Sequence, residues 1–415
     1  MAVYIRRAVV AGPTAIFVPT YQQARLIGMF SIIADTFSGG LRSDCSENAF
    51  ITREVVVVDE ECLKLSAYFG ERQREGRRFV AETMLDIYEQ QRVAISIVLR
   101  GIAGFGSRRH FRTDQSLSLS EDPPVAVIAV DTKPVIERLL ESVLAVNKRG
   151  LISLERARLL HDDIHTVELS DQYHEATKLT IYVGRKERVY DVPAFVAVCD
   201  LLYRRQLAGA SVFLGVDGTI RGQRERAKFF GRNPDVPMMI IAVGSGERIG
   251  RVLPEIGGLL RRPLVTLERV RVCKRDGQLL ERPHALPGTD EHGLALWQKL
   301  MVYSSESARF DGMPIHRALI QRLREHESSH GATVLRGIRG FHGDHAPHGD
   351  KLFSLGRHVP VVTIIIDTPN NIAASFDVVD EITREQGLVT SEMVPALAAD
   401  GDDGSGGARM AHHQY

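Results

Sequence analysis

The chain repeats itself three times, and the spacing of that repeat constrains its fold more than any other feature. Three apolar stretches each carry a Lys-Leu pair: CLKLSAYFG with Lys64-Leu65, TKLTIYVG with Lys178-Leu179 and QKLMVYSS with Lys299-Leu300. Gly101, Gly215 and Gly337 follow those lysines at 37, 37 and 38 residues. Pro124, Pro237 and Pro360 open a further apolar stretch 23, 22 and 23 residues on. Glu155, Glu268 and Glu392 close each copy after another 31, 31 and 32 residues. Four anchors held to within one residue across three copies define a tandem repeat of about 100 residues, a common domain length.

Within each copy the pattern reads βαββαβ. The first helix is expected near Arg77–Gln91, where Phe79, Met84, Ile87 and Tyr88 fall at helical spacing, with counterparts at Pro193–Arg205 and Pro314–Glu327. A proline at or near the first helical position suits both counterparts. The second helix follows Asp131-Thr132 or Asp367-Thr368, side chains that can cap free N–H groups. Two β-α-β crossovers around a central hairpin make a split-βαβ, ferredoxin-like unit with helices on one sheet face. The runs Val125 to Val130, Met238 to Val243 and Val361 to Ile366 are almost continuously apolar, as in strands buried on both faces. The helix-free faces are therefore expected to be covered by the other copies. The expected boundaries are an N-terminal extension over 1–54, repeats over 55–162, 174–276 and 294–398, and a polar tail over 399–415, a composition that favours disorder. Residues 1–52 match no repeat, and one expectation is that translation starts near Val55–Val58.

Composition adds exclusions. Lys+Arg and Asp+Glu both number 52, so there is no net basic excess of the kind a nucleic-acid binder shows. The four cysteines, Cys45, Cys62, Cys199 and Cys273, form no C-x-x-C pair and fit free thiols in a reducing cytoplasm. The apolar run Leu26 to Ala34 is far short of the roughly 18 residues a membrane span needs. Pro13 interrupts the apolar stretch after Arg6-Arg7, so no export signal is read.

The stretches RGIAGFGSRRH (Arg100–His110) and LSEDPPVAVIAVDT (Leu119–Thr132), with RGIRGF and VPVVTIIIDT in the third copy, resemble the PII-like superfamily. Its domain-of-unknown-function 190 (UPF0166) branch is the closest. The resemblance spans roughly Cys62–Leu160, Thr177–Val272 and Gln298–Leu397. PII-like proteins are homotrimers, so three tandem units imply a single-chain pseudo-trimer. The resemblance also implies an adenine nucleotide or other small anionic effector in clefts between units, mobile loops that report its binding, and a membrane transporter as partner. The chain departs from the PII pattern before the last strand, where Asn147-Lys148-Arg149-Gly150 stands in place of a Gly-rich, Lys-bearing loop. The second copy has Gly218-Thr219-Ile220 where the first has a Gly-Phe pair. The three clefts therefore need not be equivalent.

The expected ligand-binding residues are Arg100, Gly101, Gly104, Gly106, Arg108 and Arg109 in the first copy, Gly215, Gly218 and Arg221 in the second, and Arg336, Gly337 and Gly340 in the third. Glycines at a strand end allow backbone N–H groups to approach a phosphate, and arginines add charge-assisted bonds. The plain alternative is a strand end leading into a solvated loop. In the third loop, His342, His345 and His348 with Asp344 and Asp350 have the chemistry of a metal site, although nothing rigid fixes their spacing. The stretch Gly244 to Gly250 imitates a dinucleotide fingerprint, but its last spacing is wrong and the other copies lack those glycines. Glu155, Glu268 and Glu392 are read as charges alternating outward from the last strand, with a threefold ring of carboxylates as the alternative. No nucleophile–base pair or phosphate-binding loop of an enzyme is present in the sequence. The expected protein is a cytoplasmic, non-enzymatic regulator that binds a small anion and no nucleic acid. Its alternatives are a constitutive interaction module, or a metal binder acting through the His-rich loop.

Overall fold

The structure, a computed structural model, describes residues 61–107, 109–113, 122–161, 164, 176–224, 235–325, 329–342, 348–349, 359–398 and 409–413. Repeat 1 runs β1 (Glu61–Gly70), α1 (Val80–Gln90), β2 (Ile95–Phe105), β3 (Pro124–Thr132), α2 (Lys133–Val146) and β4 (Leu151–His161). Repeat 2 runs β5 (Thr177–Gly184), α3 (Ala194–Arg204), β6 (Gly209–Leu214), β7 (Asp217–Ile220), β8 (Pro237–Gly244), α4 (Gly246–Leu259), β9 (Leu264–Arg269) and β10 (Arg271–Arg275). Repeat 3 runs β11 (Trp297–Ser305), α5 (Ile315–Glu325), β12 (Ala332–Arg336), β13 (Arg339–His342), β14 (Pro360–Asp367), α6 (Pro369–Ile382), β15 (Leu388–Val394) and β16 (Ala396–Ala398). The expected helices are present, each a residue or more shorter at its ends.

Pairing inside the three repeats is the same and wholly antiparallel. The orders are β2-β3-β1-β4, β6-β8-β5-β9 and β12-β14-β11-β15. Each helix presents apolar residues at helical intervals to its own sheet, as Val80, Met84, Leu85 and Tyr88 do in α1. The capping expectation holds in part. Thr368 Oγ1 accepts from the Asn371 N–H at the start of α6, and Ser245 does the same for Arg248 in α4, whereas Thr132 makes no side-chain cap. The carboxylates of Asp131 and Asp367 instead accept from the backbone of Thr132 and Thr368, and from that of Ala94 and His330 on the neighbouring strand approach.

Strand alternation divides the apolar residues between two kinds of core. Val125, Val127 and Ala129 of β3 face α1 and α2, while Ala126, Ile128 and Val130 point the other way. Met238 and Ile240 face the helices of repeat 2, while Met239, Ile241 and Val243 join Ile128, Met301, Val362 and Ile364 in one cluster drawn from all three repeats. The helix-free faces thus cover one another, which explains why these strands are apolar on both sides.

Hydrogen bonding continues from repeat to repeat in a cycle. Strand β7 pairs with the first half of β2, β13 with β6, and β12 with the second half of β2. At the last strands β9 pairs with β4, β10 with β15, and β16 with β4. Twenty strands are joined into one large curled sheet carrying six helices among the described residues.

At the centre lies a closed ring of six buried charges. Lys64, Lys178 and Lys299 face Glu155, Glu268 and Glu392 across neighbouring strands. Each lysine also reaches the glutamate of the next repeat. Lys64 Nζ lies 3.0 Å from Glu155 and 2.7 Å from Glu268. Lys178 lies 2.7 Å from Glu268 and 2.6 Å from Glu392. Lys299 lies 2.8 Å from Glu392 and 2.5 Å from Glu155. The glutamates are at most 5% exposed, so the reading of outward-pointing charges is overturned. With both sheet faces covered, a charge on the last strand has no solvent to face, and it survives burial because its neighbours carry the opposite sign.

Candidate functional site

The three junctions between repeats are built from equivalent elements and differ at their clefts. At the repeat 2/repeat 3 junction, Phe341, His342 and Pro360 face Gly209, Ala210 and Ser211 around a void of about 20 Å³. At the repeat 1/repeat 3 junction, the counterparts Phe105, Gly106 and Pro124 face Gly331, Ala332 and Thr333 around a cavity of about 350 Å³. The side chain after the phenylalanine accounts for part of the difference. Gly106 leaves space, with no heavy atom near the position a Cβ would take. His342 instead reaches Asp276 of repeat 2 at 2.7 Å. At the repeat 1/repeat 2 junction, strand β7 is drawn in, and the backbone N–H groups of Arg221 and Gly222 donate to Ala94 and Val93.

The open cleft has an aromatic wall of Tyr68, Phe69, Phe105 and Trp297, with Arg112, Arg149 and His330 among its polar lining. Arg112 Nε is 3.0 Å from Asp122. Burial pushes the Tyr68 phenol up to about 12, so it stays protonated as a donor. His330 is held by the carboxylate of Asp367, Nδ1 to Oδ1 at 2.8 Å. Asp367 is fully enclosed and also accepts from the backbone N–H groups of His330 and Thr368 and from Asn371 Nδ2. The imidazole itself is 61% exposed, so its second ring nitrogen is left for a ligand. The equivalent residues are Ala94 in repeat 1 and Ala208 in repeat 2, so this His–Asp pair belongs to the open cleft alone.

The sequence-expected residues scatter. Gly106 lines the cleft. Gly101 and Gly104 sit inside β2, where an added Cβ would meet the Val334 and Ala332 carbonyls at 2.9 and 2.7 Å. Gly337 and Gly340 approach the Val212 and Ala210 carbonyls in the same way, and Gly215 and Gly218 lie against Pro237 and repeat 1. These six glycines let strands of neighbouring repeats come together. Arg100 pairs with Glu71, Arg336 with Glu306, Arg109 with the Arg324 carbonyl and Arg221 with the Arg262 carbonyl. Arg108 and His345 lie outside the described residues, as does the His348 side chain. Sequence reasoning missed His330 and Trp297, because neither recurs in the other two copies and so neither stands out as a repeat anchor.

Among the described residues, only Glu155, Glu268 and Glu392 approach as a set of acidic or sulfur ligands, within 4.8 Å. Three ammonium groups already balance their charge. Burial favours the neutral acid in Glu155 and Glu268, yet the surrounding lysines outweigh it and hold both below the usual glutamate value. Burial likewise works against the Lys64 and Lys299 ammonium groups, and the carboxylates overcome it and raise both. In Lys178 burial prevails over Glu268 and Glu392, and its pKa is lowered. The ring is electrostatically complete without a cation.

This architecture can be set beside known proteins. The DUF190 family model, described as Uncharacterized ACR, COG1993, matches residues 62–159, 176–272 and 297–396. The chain belongs to this family, with three copies of its domain. It is similar to a UPF0166 protein of Aquifex aeolicus (strain VF5), 33% identical over 98 residues, which are 24% of this chain and 90% of the relative. That relative therefore has about the length of one repeat.

Proposed function

We propose that the chain is a PII-like regulatory protein. In this reading its three ferredoxin-like units form a single-chain pseudo-trimer, and it binds a small anionic effector, an adenine nucleotide, in the cleft between repeats 1 and 3. The observation that carries this reading is the asymmetry of the clefts. One of them combines about 350 Å³, an aromatic wall and the cationic side chains Arg112 and Arg149 beside His330. A base stacks on aromatic rings, and phosphates are held by arginine and imidazole N–H donors. The shared strand order and the central core contributed by all three repeats support the pseudo-trimer. The action is binding rather than chemistry. The effector favours one arrangement of the protein over another, and the favoured one engages a partner, a membrane transporter. Three buried free cysteines agree with a reducing cytoplasmic setting.

Calorimetric titration of the full chain with ATP, ADP and AMP tests the reading. One site per chain is expected, and Arg149→Ala with His330→Ala is expected to weaken binding by about tenfold or more, one to two charge-assisted bonds being lost. Folded protein that binds no nucleotide, or binds equally well in the double variant, would remove the assignment and leave a constitutive interaction module.

A further inference from the structure

The outer sides of the three junctions also differ. Each repeat places an equivalent helix residue 22 positions after its lysine: Asp86, Asp200 and Gln321. At the repeat 1/repeat 2 junction, Arg224 binds Asp86 at 2.5 Å and Asp217 at 2.8 Å. At the repeat 2/repeat 3 junction, Arg339 binds Asp200 at 2.7 Å. At the repeat 1/repeat 3 junction both partners are changed. The helix residue is Gln321, whose amide turns to Glu325, and the strand residue equivalent to Arg339 is Ala103. In place of a bridge, a groove of about 530 Å³ opens between α5 and the end of β2.

Its walls are apolar, formed by Ile102, Phe111, Met313 and Ile320, with Phe111 and Met313 left 42% and 38% exposed. His316 also lines it. That residue is only 4% exposed, and its Nδ1 has no hydrogen-bond partner. A buried ring nitrogen without a partner is costly unless a ligand or water satisfies it. Burial, reinforced by Arg317, Arg336 and Arg309, lowers the His316 pKa to about 4, so near neutral pH it offers a hydrogen bond without charge. The exposed Arg317 and Arg324 stand on the rim, the Arg324 guanidinium 5.6 Å from the Phe111 ring centre.

We propose that this groove is a second ligand site, distinct from the cleft, for a small organic anion with an apolar body, of the class of medium-chain carboxylates. The chain of such a ligand lies on Phe111, Met313 and Ile320, and its carboxylate meets the rim arginines. The groove has the volume of a small-molecule pocket, and a stable protein partner needs a much broader face.

Pseudo-equivalence supplies the decisive variant. Ala103→Arg with Gln321→Asp writes the bridge of the repeat 2/repeat 3 junction into this one and closes the groove. Calorimetric titration of the full chain with sodium decanoate is expected to show saturable binding that falls by about tenfold or more in the closed variant, the loss of about 1.4 kcal/mol or more. The milder pair Arg317→Glu and Arg324→Glu, both on the solvent side of α5, is expected to weaken decanoate while leaving decanol binding unchanged. This pair serves also if the closed variant fails to fold. No saturable decanoate binding to the wild-type chain would overturn the proposal. So would unchanged affinity in a folded closed variant or in the double glutamate variant. Nucleotide titration of the same variants separates this result from the cleft assignment, since neither pair touches Arg149 or His330.

Discussion

Among single residues, the six charges of the central ring carry the strongest expectations. Lys64 and Lys178 both contact Glu268 through Oε2, leaving its Oε1 without a partner. Glu268→Gln is expected to destabilise the chain by about 3–5 kcal/mol, because removing one member of a buried ion network strands the others. Urea unfolding measures this, and a loss under about 1 kcal/mol would show that the ring relaxes or admits water. The sign of the pH dependence follows from the lowered pKa values of Glu155 and Glu268. Their contribution is present above the ordinary glutamate value of 4.5 and is lost as pH falls below it. A melting temperature that declines below about pH 4.5, with a shallower decline in Glu155→Gln, is the expected profile. The sequence displayed these residues as anchors of the repeat yet concealed their direction. Alternation along a strand says which residues share a face, not whether that face meets water. A lone glutamate reads as exposed until its lysine partners on other strands are known.

Among the elements, strands and helices were legible because their apolar periods survive in all three copies. The lengths of β2, β6 and β12 were less legible, because glycines in the RGIAGFG stretch read as a turn. The structure continues β2 through Phe105, and the glycines serve close approach of a neighbouring strand. Two substitutions separate these roles. Gly104→Ala brings a methyl group to 2.7 Å from the Ala332 carbonyl and is expected to cost about 1–3 kcal/mol by forcing β2 from β12. Gly106→Ala meets no atom within 4 Å and is expected to stay within about 0.5 kcal/mol. Thermal unfolding of both variants checks this, and equal effects would contradict the packing role of Gly104. The lining of the cleft was legible in the sequence only in part, at Gly106. His330, Trp297 and Thr368 are distant in sequence from Gly106 and Arg149, and only the cyclic pairing of strands brings them to one cavity.

For the whole molecule, the covalent joining of the three repeats makes unfolding unimolecular. Its melting temperature is expected to be independent of protein concentration over a hundredfold dilution, unlike that of an assembly held only by association. A midpoint that moved with concentration would point to a further assembly of the chain. The junctions lead to a second consequence. Three identical subunits must carry every substitution three times, so their seams stay alike. Here each seam has its own residues: Arg224 with Asp86 and Asp217 at one, Arg339 with Asp200 at the next, and Ala103 opposite Gln321 at the last. Among the described residues, two seams carry an ion pair between helix and strand at this position, and the third has none there. It is held instead by strand pairing and by Arg109 on the Arg324 carbonyl, and it has a cavity at Phe105 and a groove at Ala103, both on β2. A tandem chain, unlike three identical subunits, can change one seam while the other two keep their residues.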